Sequence, residues 1–322
     1  MRIVSLDPAL TELVRNLGAG AELAGVSSRC ELDPKAVVPP LVLTGAQKSS
    51  ATTGGAEALL RSELSFEPVD LEALRRASPD VVLARVSHGV LMPNEPAGTA
   101  RAGAVSVQEL EARLRAWLGN DKVQLVALRP SRLEGIYALL EAVGAAIGRV
   151  SAAHERAQRL KAQLMDWADN FYDRTKNKKV TFLSSIAPMR LGGLWIPDMV
   201  ALCSAISQER TPGAAHRETS WNEVVAFNPD VIVVAPEGVD LKGSMATFKE
   251  LSKLPGWDDL PAVKRSEVFF TDGIKHFYNP AVGIVDSMAI LISAIAGFES
   301  GYITTRDTFY RLRWLELHRH RL

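Results

Sequence analysis

Cysteine is scarce in this chain: Cys30 and Cys203 are its only two among 322 residues. They form no Cys-x-x-Cys spacing for zinc or dithiol chemistry and cannot build a dense disulfide framework. An excess of either charge is missing as well. Thirty-seven Lys and Arg face 37 Asp and Glu, a formal net charge of +0. Such a chain has no overall field to draw it to polyphosphate, so nucleic acid is not expected as a partner. Long apolar runs are also missing. The longest, Ala281 to Phe298, is interrupted by Asp286 and Ser287, which reads as an amphipathic final helix and leaves no transmembrane segment. The opening Met1-Arg-Ile-Val-Ser-Leu-Asp-Pro8 reads as a strand entered at once, without the basic and long apolar regions expected of a signal peptide. As written, the chain is expected in the cytoplasm, or in a periplasmic or extracellular setting if the true start lies upstream.

What is present is an ordinary globular composition, 47% apolar and 23% charged, at a length that favours two compact units. Short apolar runs alternate with segments of helical period: Arg2–Leu6, Leu23–Val26, Val81–Ala84 and Val123–Leu128, then Val180–Ser184, Val231–Ala235 and Val268–Thr271. Strands alternating with helices imply mainly parallel α/β sheets. A weak internal repeat sharpens this. Val69-Asp-Leu-Glu72, a short helix and Ser78-Pro-Asp-Val-Val-Leu-Ala84 are answered by Thr219-Ser-Trp-Asn-Glu223, another helix and Asn228-Pro-Asp-Val-Ile-Val-Val234. The expected architecture is therefore two similar α/β lobes.

Ser151 to Lys176 has no Gly or Pro and repeats Leu160, Leu164, Trp167 and Phe171 at helical spacing. About 25 residues at 1.5 Å each give nearly 40 Å of helix, a rigid bridge with Ser151 as N-cap. The expected division is an N-terminal lobe (1–149), a bridging helix (150–177), a C-terminal lobe (178–300) and a basic aromatic tail (301–322), itself read as a docked helix.

In open parallel sheets, ligands bind beyond the carboxyl ends of the strands. That rule selects Asp7, Arg29, Cys30, Arg85, His88 and Arg129 in lobe one, and Trp195, Glu237, His276, Phe277 and Tyr278 in lobe two. Asp7-Pro8 also reads as an N-cap followed by proline at the first helical position. Trp195 is expected on a Gly-rich loop with little core to join. His276 is a weak candidate for an axial metal ligand, and no metal site is otherwise expected. Glu72 and Glu223 open solvent-facing helices, where acids complement the helix dipole or serve as partner contacts. Leu17-Gly-Ala-Gly-Ala-Glu-Leu-Ala-Gly25 follows a helix and reads as its C-cap rather than a dinucleotide fingerprint. No Gly-x-Ser-x-Gly elbow, Walker loop or His-Glu-x-x-His is present, and the chain is read as non-catalytic.

The ordered set Ile3-Val-Ser-Leu-Asp-Pro-Ala-Leu-Thr-Glu-Leu13, Val69-Asp-Leu-Glu72 with Ser78-Pro-Asp80, Trp195-Ile-Pro-Asp-Met-Val200, Ser220-Trp-Asn-Glu223, Pro255-Gly-Trp257 and Asp272-Gly273 resembles the cobalamin-type (class III) substrate-binding proteins of ABC importers, in their branch without a signal peptide. The resemblance runs from residue 2 to about 298. It implies two α/β lobes joined by a rigid helix, holding cobalamin or another large chelate in a cleft between them. It implies no required cofactor, and an ABC permease as a partner docked through Glu72 in lobe one and Asn222, with Glu223 beside it, in lobe two. It implies a cleft role for Trp195 and a place at the cleft mouth for Cys30. Arg85-Val-Ser-His88, Glu237 and Tyr278-Asn-Pro-Ala-Val-Gly283 depart from the family pattern at the expected mouth. The leading expectation is corrinoid binding for uptake or intracellular handling. Haem or a ferric siderophore is the nearest substitute, and a cytosolic tetrapyrrole-handling enzyme or metal-insertion chaperone is the rival of another class.

Overall fold

The computed structural model describes residues 1–30, 40–44, 56–87, 90–92, 104–280, 283–297 and 309–311. It divides into unit 1, Met1–Arg129 with Tyr137–Ala157, and unit 2, Pro130–Ile136 with Gln158–Leu322.

In unit 1 the strands are β1 (Ile3–Ser5), β2 (Leu23–Val26), β3 (Leu41–Val42), β4 (Val81–Arg85), β5 (Val90–Leu91), β6 (Val105–Ser106) and β7 (Gln124–Leu128). Five of them form a parallel sheet in the order β3-β2-β1-β4-β7, and β5 pairs with β6 separately. The central strands are buried on both faces, which accounts for their continuous apolar sequence. Helices Pro8–Asn16, Leu71–Ala77 and Val107–Leu118 present Leu10, Leu13, Leu71, Leu74, Leu110 and Leu114 to the interior. Leu17 closes the first of these, with the N–H of Gly18 on the Arg15 carbonyl and φ of +75° at Gly18. The Gly-rich stretch is thus a helix end, as its position after a helix requires.

In unit 2 the strands are β8 (Lys179–Ile186), β9 (Met189–Leu191), β10 (Ile206–Ser207), β11 (Arg217–Glu218), β12 (Val231–Val234), β13 (Val268–Thr271) and β14 (Phe309–Arg311). Their order is β11-β9-β8-β12-β13-β14, with β10 also on β8. The β10, β8, β12 and β13 strands run parallel, while β9, β11 and β14 are antiparallel additions. The sheets are mainly parallel and the fold class is α/β, as the strand–helix alternation predicts.

Four expectations change. The long helix is Val150–Asn170, 21 residues, followed by a separate short helix, Tyr172–Thr175. Ser151 lies inside it rather than capping it. Residues 309–311, expected in a helical tail, form strand β14; the rest of 301–322 lies outside the described residues. The final helix, Ile284–Ala296, is not amphipathic. All but three of its residues are buried, Ser287 and Ser293 among them, and each serine hydroxyl donates to the carbonyl four residues back at 2.8 Å. That local bond gives each buried hydroxyl proton an acceptor within its own helical segment.

The repeat is visible as two identical devices. Asp70 caps Leu71–Ala77 through the N–H of Ala73, and Ser220 caps Trp221–Phe227 through that of Glu223. Each helix ends on a left-handed residue, Ser78 (φ 43°) or Asn228 (φ 54°), and the Pro-Asp that follows turns directly into β4 or β12.

Candidate functional site

The carboxyl end of the unit 1 sheet gathers a polar network. Asp7 accepts the N–H of Ala9 on Oδ1 at 2.9 Å, acting as the expected N-cap before Pro8. Its Oδ2 lies 2.8 Å from Arg85 Nε, an ion pair in which the carboxylate is nearly fully buried. The Arg85 guanidinium stacks 5.0 Å from the ring centroid of Phe66. Beside them the Cys30 thiol donates to Thr11 Oγ1 at 3.2 Å, and Thr11 donates to Ser5 Oγ at 2.8 Å. Burial raises the Cys30 pKa, only partly offset by that hydrogen bond, so the sulfur is a thiol at neutral pH. Arg29 pairs with Glu67 at 2.8 Å, and Ser28 and Thr44 donate to the same carboxylate at 2.9 and 2.8 Å. Arg129 holds the chain after β4 by donating to the carbonyls of Ser87 and Val90. The fold therefore brings Asp7, Arg29, Cys30 and Arg85 together, with Arg129 on the same edge. His88 lies outside the described residues.

Unit 2 presents a different edge. After β13, Asp272 accepts the N–H groups of Ile274 and Lys275 at 2.9 and 3.0 Å, which turns the loop sharply and leaves Ile274 61% exposed. His276 and Phe277 go inward. The Phe277 ring packs edge-on against Phe182 at 4.8 Å, and its N–H donates to Ser287 Oγ. His276 is buried with no hydrogen-bond partner on either ring nitrogen. Burial lowers its pKa against the raising influence of Asp286 and Asp272. The Tyr278 hydroxyl donates to the Ala235 carbonyl, and its pKa is raised well above the ordinary value of 10.0, first by burial and then by Glu237.

Trp195 is a core side chain, 2% exposed, with no partner for its indole N–H. The loop expectation fails because the diglycine lets the chain tuck in. Leu194 N–H donates to the Ala214 carbonyl at 2.6 Å, and a Cβ on Gly193 would stand 2.4 and 2.6 Å from the carbonyl oxygens of Ala214 and Ala215.

That close approach produces a contact with no local sequence signal. Gly193 N–H donates to Nδ1 of His216 at 2.9 Å. The His216 ring packs edge-on against Tyr278, centroids 5.5 Å apart, and its Nε2 lies 3.8 Å from an oxygen of Glu237. Burial, the largest influence, lowers the His216 pKa, with Glu237 opposing. Neither His216 nor the exposed Phe66 and Ile274 stood out in the sequence. A lone histidine in Gly213-Ala-Ala-His-Arg-Glu218 has no periodicity, and exposed apolar residues on turns look like any others.

Glu72 is exposed in the first turn of Leu71–Ala77, within 4.0 Å of Arg75. Asn222 and Glu223 are exposed in the first turn of Trp221–Phe227. Glu223 is engaged: Arg217 Nη1 and Thr219 Oγ1 both donate to it at 3.1 Å, and Arg217 chiefly lowers its pKa. Among the described residues, no group of three His, Cys, Asp or Glu could hold a metal ion, and no helix is long and apolar enough to cross a membrane.

The profile of a family described as periplasmic binding protein matches residues 3–274. An uncharacterized ABC transporter substrate-binding lipoprotein, YvrC of Bacillus subtilis (strain 168), is 23% identical over 84% of this chain and 72% of its own. The S. aureus protein IsdE, solved complexed with heme, superposes with a TM-score of 0.63 at 17% identity, over 91% of this chain and 98% of its own. The periplasmic vitamin B12 binding protein BtuF of Vibrio cholerae does so with a TM-score of 0.60 at 17% identity, over 92% and 98%.

Proposed function

This chain belongs to the periplasmic binding protein family, and from that premise we propose that it captures a large organometallic chelate, a corrinoid of the cobalamin type first, for hand-over to an ABC permease. Proteins of this family are the non-catalytic, substrate-binding components of ABC transporters. The observation that carries the ligand reading is the pairing, at the carboxyl ends of the strands, of polar clusters with exposed apolar side chains. Asp7, Arg85 and Arg29 stand beside Phe66 in unit 1, and His216 and Glu237 share the strand-end edge with Ile274 in unit 2. A flat guest with an apolar face and a polar rim needs both kinds of surface. Side chains already held by hydrogen bonds lose little freedom when it binds.

Heme in the IsdE complex and vitamin B12 for BtuF make haem the nearest alternative to a corrinoid, with a ferric siderophore beside it. Glu72, Asn222 and Glu223 are the proposed permease contacts, since they are exposed at matching positions of the two repeat copies. A capture protein of an importer works outside the cytoplasmic membrane, and we place this chain there. Isothermal titration of the full chain with cyanocobalamin, adenosylcobalamin, ferric haem and ferric siderophores tests the reading. Saturable binding of one of them at micromolar protein is the expected result, and binding of none removes it.

A further inference from the structure

His216 has only one chemical face left to offer. Its Nδ1 accepts the backbone N–H of Gly193 at 2.9 Å, and a backbone N–H can only donate, so the Nδ1 lone pair is committed. A neutral imidazole carries one proton, which must therefore sit on Nε2. Protonating Nδ1 as well would set N–H against N–H, in agreement with the burial that lowers the His216 pKa. A ring in this state has no free lone pair for a metal. Tyr278, packed on the same ring, is likewise a phenol donating to Ala235 and not a phenolate.

The nearer oxygen of Glu237 lies 3.8 Å from Nε2, beyond hydrogen-bond reach. Glu237 is 61% exposed on its side chain, while His216 is only 15% exposed. The edge thus holds a donor and an anionic acceptor side by side and not hydrogen-bonded to one another, with the Leu191 backbone also bordering the ring. A guest carboxylate could take the donor but would meet Glu237 as a like charge. A primary carboxamide satisfies both, its carbonyl oxygen on Nε2–H and its N–H on the carboxylate.

We propose that His216 and Glu237 together read a primary carboxamide on the periphery of the guest, and that neither ligates the guest's metal. This rests on the capture reading above and narrows it to amide-bearing chelates.

The test uses the full chain and two corrinoids whose axial positions are both filled by cyanide: dicyanocobinamide, with a carboxamide periphery, and dicyanocobyrinic acid, with a carboxylate one. Dicyanocobinamide is expected to bind at least about tenfold tighter, the scale of one charge-assisted hydrogen bond exchanged for a repulsion. His216→Ala and Glu237→Ala should each weaken it about tenfold, and Glu237→Gln should narrow the gap between the two guests. Thermal unfolding of each variant checks that the fold is retained. Long-range proton–nitrogen spectra of 15N-histidine-labelled protein should show His216 as the Nε2–H tautomer at neutral pH. Equal affinity for the two corrinoids, indifference to both alanine variants, or an Nδ1–H tautomer would each overturn the proposal. A wild-type protein that binds ferric haem and neither corrinoid overturns it while leaving the capture reading intact; binding of none of the three removes both.

Discussion

The carboxylate of Asp80 accepts the backbone N–H of Arg2 at 2.7 Å, while the Asp80 N–H donates to the Arg2 carbonyl at 2.9 Å. Asp230 does the same to Lys179, at 3.0 and 2.8 Å. In both units the aspartate of a Pro-Asp pair therefore clamps the start of the neighbouring central strand, at the residue just before β1 and at the first residue of β8. It supplies an acceptor where the ladder begins. Asp80→Ala should lower stability by about 1 kcal/mol, the net worth of one such bond near the surface. Asp230→Ala should cost about 2 kcal/mol, because Asp230 is less exposed and also accepts from Arg265 at 3.1 Å. Calorimetric unfolding of the two variants checks the ranking.

The residue before each Pro-Asp sits in the left-handed region, and the two copies solve that differently. Asn228 belongs to a residue type that visits this region readily; Ser78 does not. Ser78→Gly is therefore expected to raise the unfolding temperature, worth up to about 1 kcal/mol, with Asn228→Gly close to neutral. Equal responses from the two would show that the strain is relieved by something other than the backbone.

These particulars show how the chain could and could not be read. The strands and both helix–Pro-Asp units were legible because each rests on a local rule: a buried parallel strand needs a continuous apolar run, and a helix end needs a cap and a stop. Asp7 as N-cap and Arg85 at a strand end were legible for the same reason. The Trp195 loop was misread because diglycine signals freedom locally, whereas here it permits a close backbone approach that only residues 214 and 215 define. The final helix was misread because Ser287 and Ser293 look like a polar face until their hydroxyls are seen bonded to their own helix. His216 was missed because its anchor lies 23 residues away along the chain, and no spacing rule reaches that far.

Stability should fall on the acid side of neutrality. His276 and His216 both have pKa values below the ordinary 6.5 in the folded chain, with burial the largest cause. The unfolded chain therefore takes up protons first as pH falls below 6.5, and stability decreases until the folded values are passed, below which the slope from these groups ends. More than about one pH unit above 6.5 both rings are neutral in either state and contribute no slope. His276→Gln should flatten the decline between pH 6.5 and 5 in denaturant titrations. An unchanged slope would assign the decline to other groups.

The two thiols should separate cleanly in alkylation. Burial pushes the Cys203 pKa up to about 12 from 9.0, which lowers its thiolate fraction at pH 8 by about a thousandfold. Cys30 is half-buried and raised less decisively, its hydrogen bond to Thr11 opposing burial. Iodoacetamide at pH 8 should modify Cys30 slowly and leave Cys203 intact until denaturant is added. Mass spectrometry of the native digest reads this directly, and early modification of Cys203 would mean that its surroundings open without global unfolding.

Gly192 and Gly193 are adjacent, yet a methyl group on each should have unequal effects. On Gly192 the added carbon meets the rings and methyl groups of Phe182 and Ile196, at 2.5 and 3.0 Å, and side chains can tilt away. On Gly193 it meets backbone carbonyl oxygens at 2.4 and 2.6 Å, and only movement of the 214–215 segment relieves the clash. That segment carries His216, whose ring nitrogen is held by the Gly193 N–H. Gly193→Ala should therefore cost about 2–3 kcal/mol, at least about 1 kcal/mol more than Gly192→Ala, and it alone should free the His216 ring from its fixed tautomer. The paired readout of unfolding temperature and His216 nitrogen shifts decides the point. A destabilised Gly193→Ala that keeps the Nε2–H tautomer would mean that something other than this backbone contact orients the imidazole.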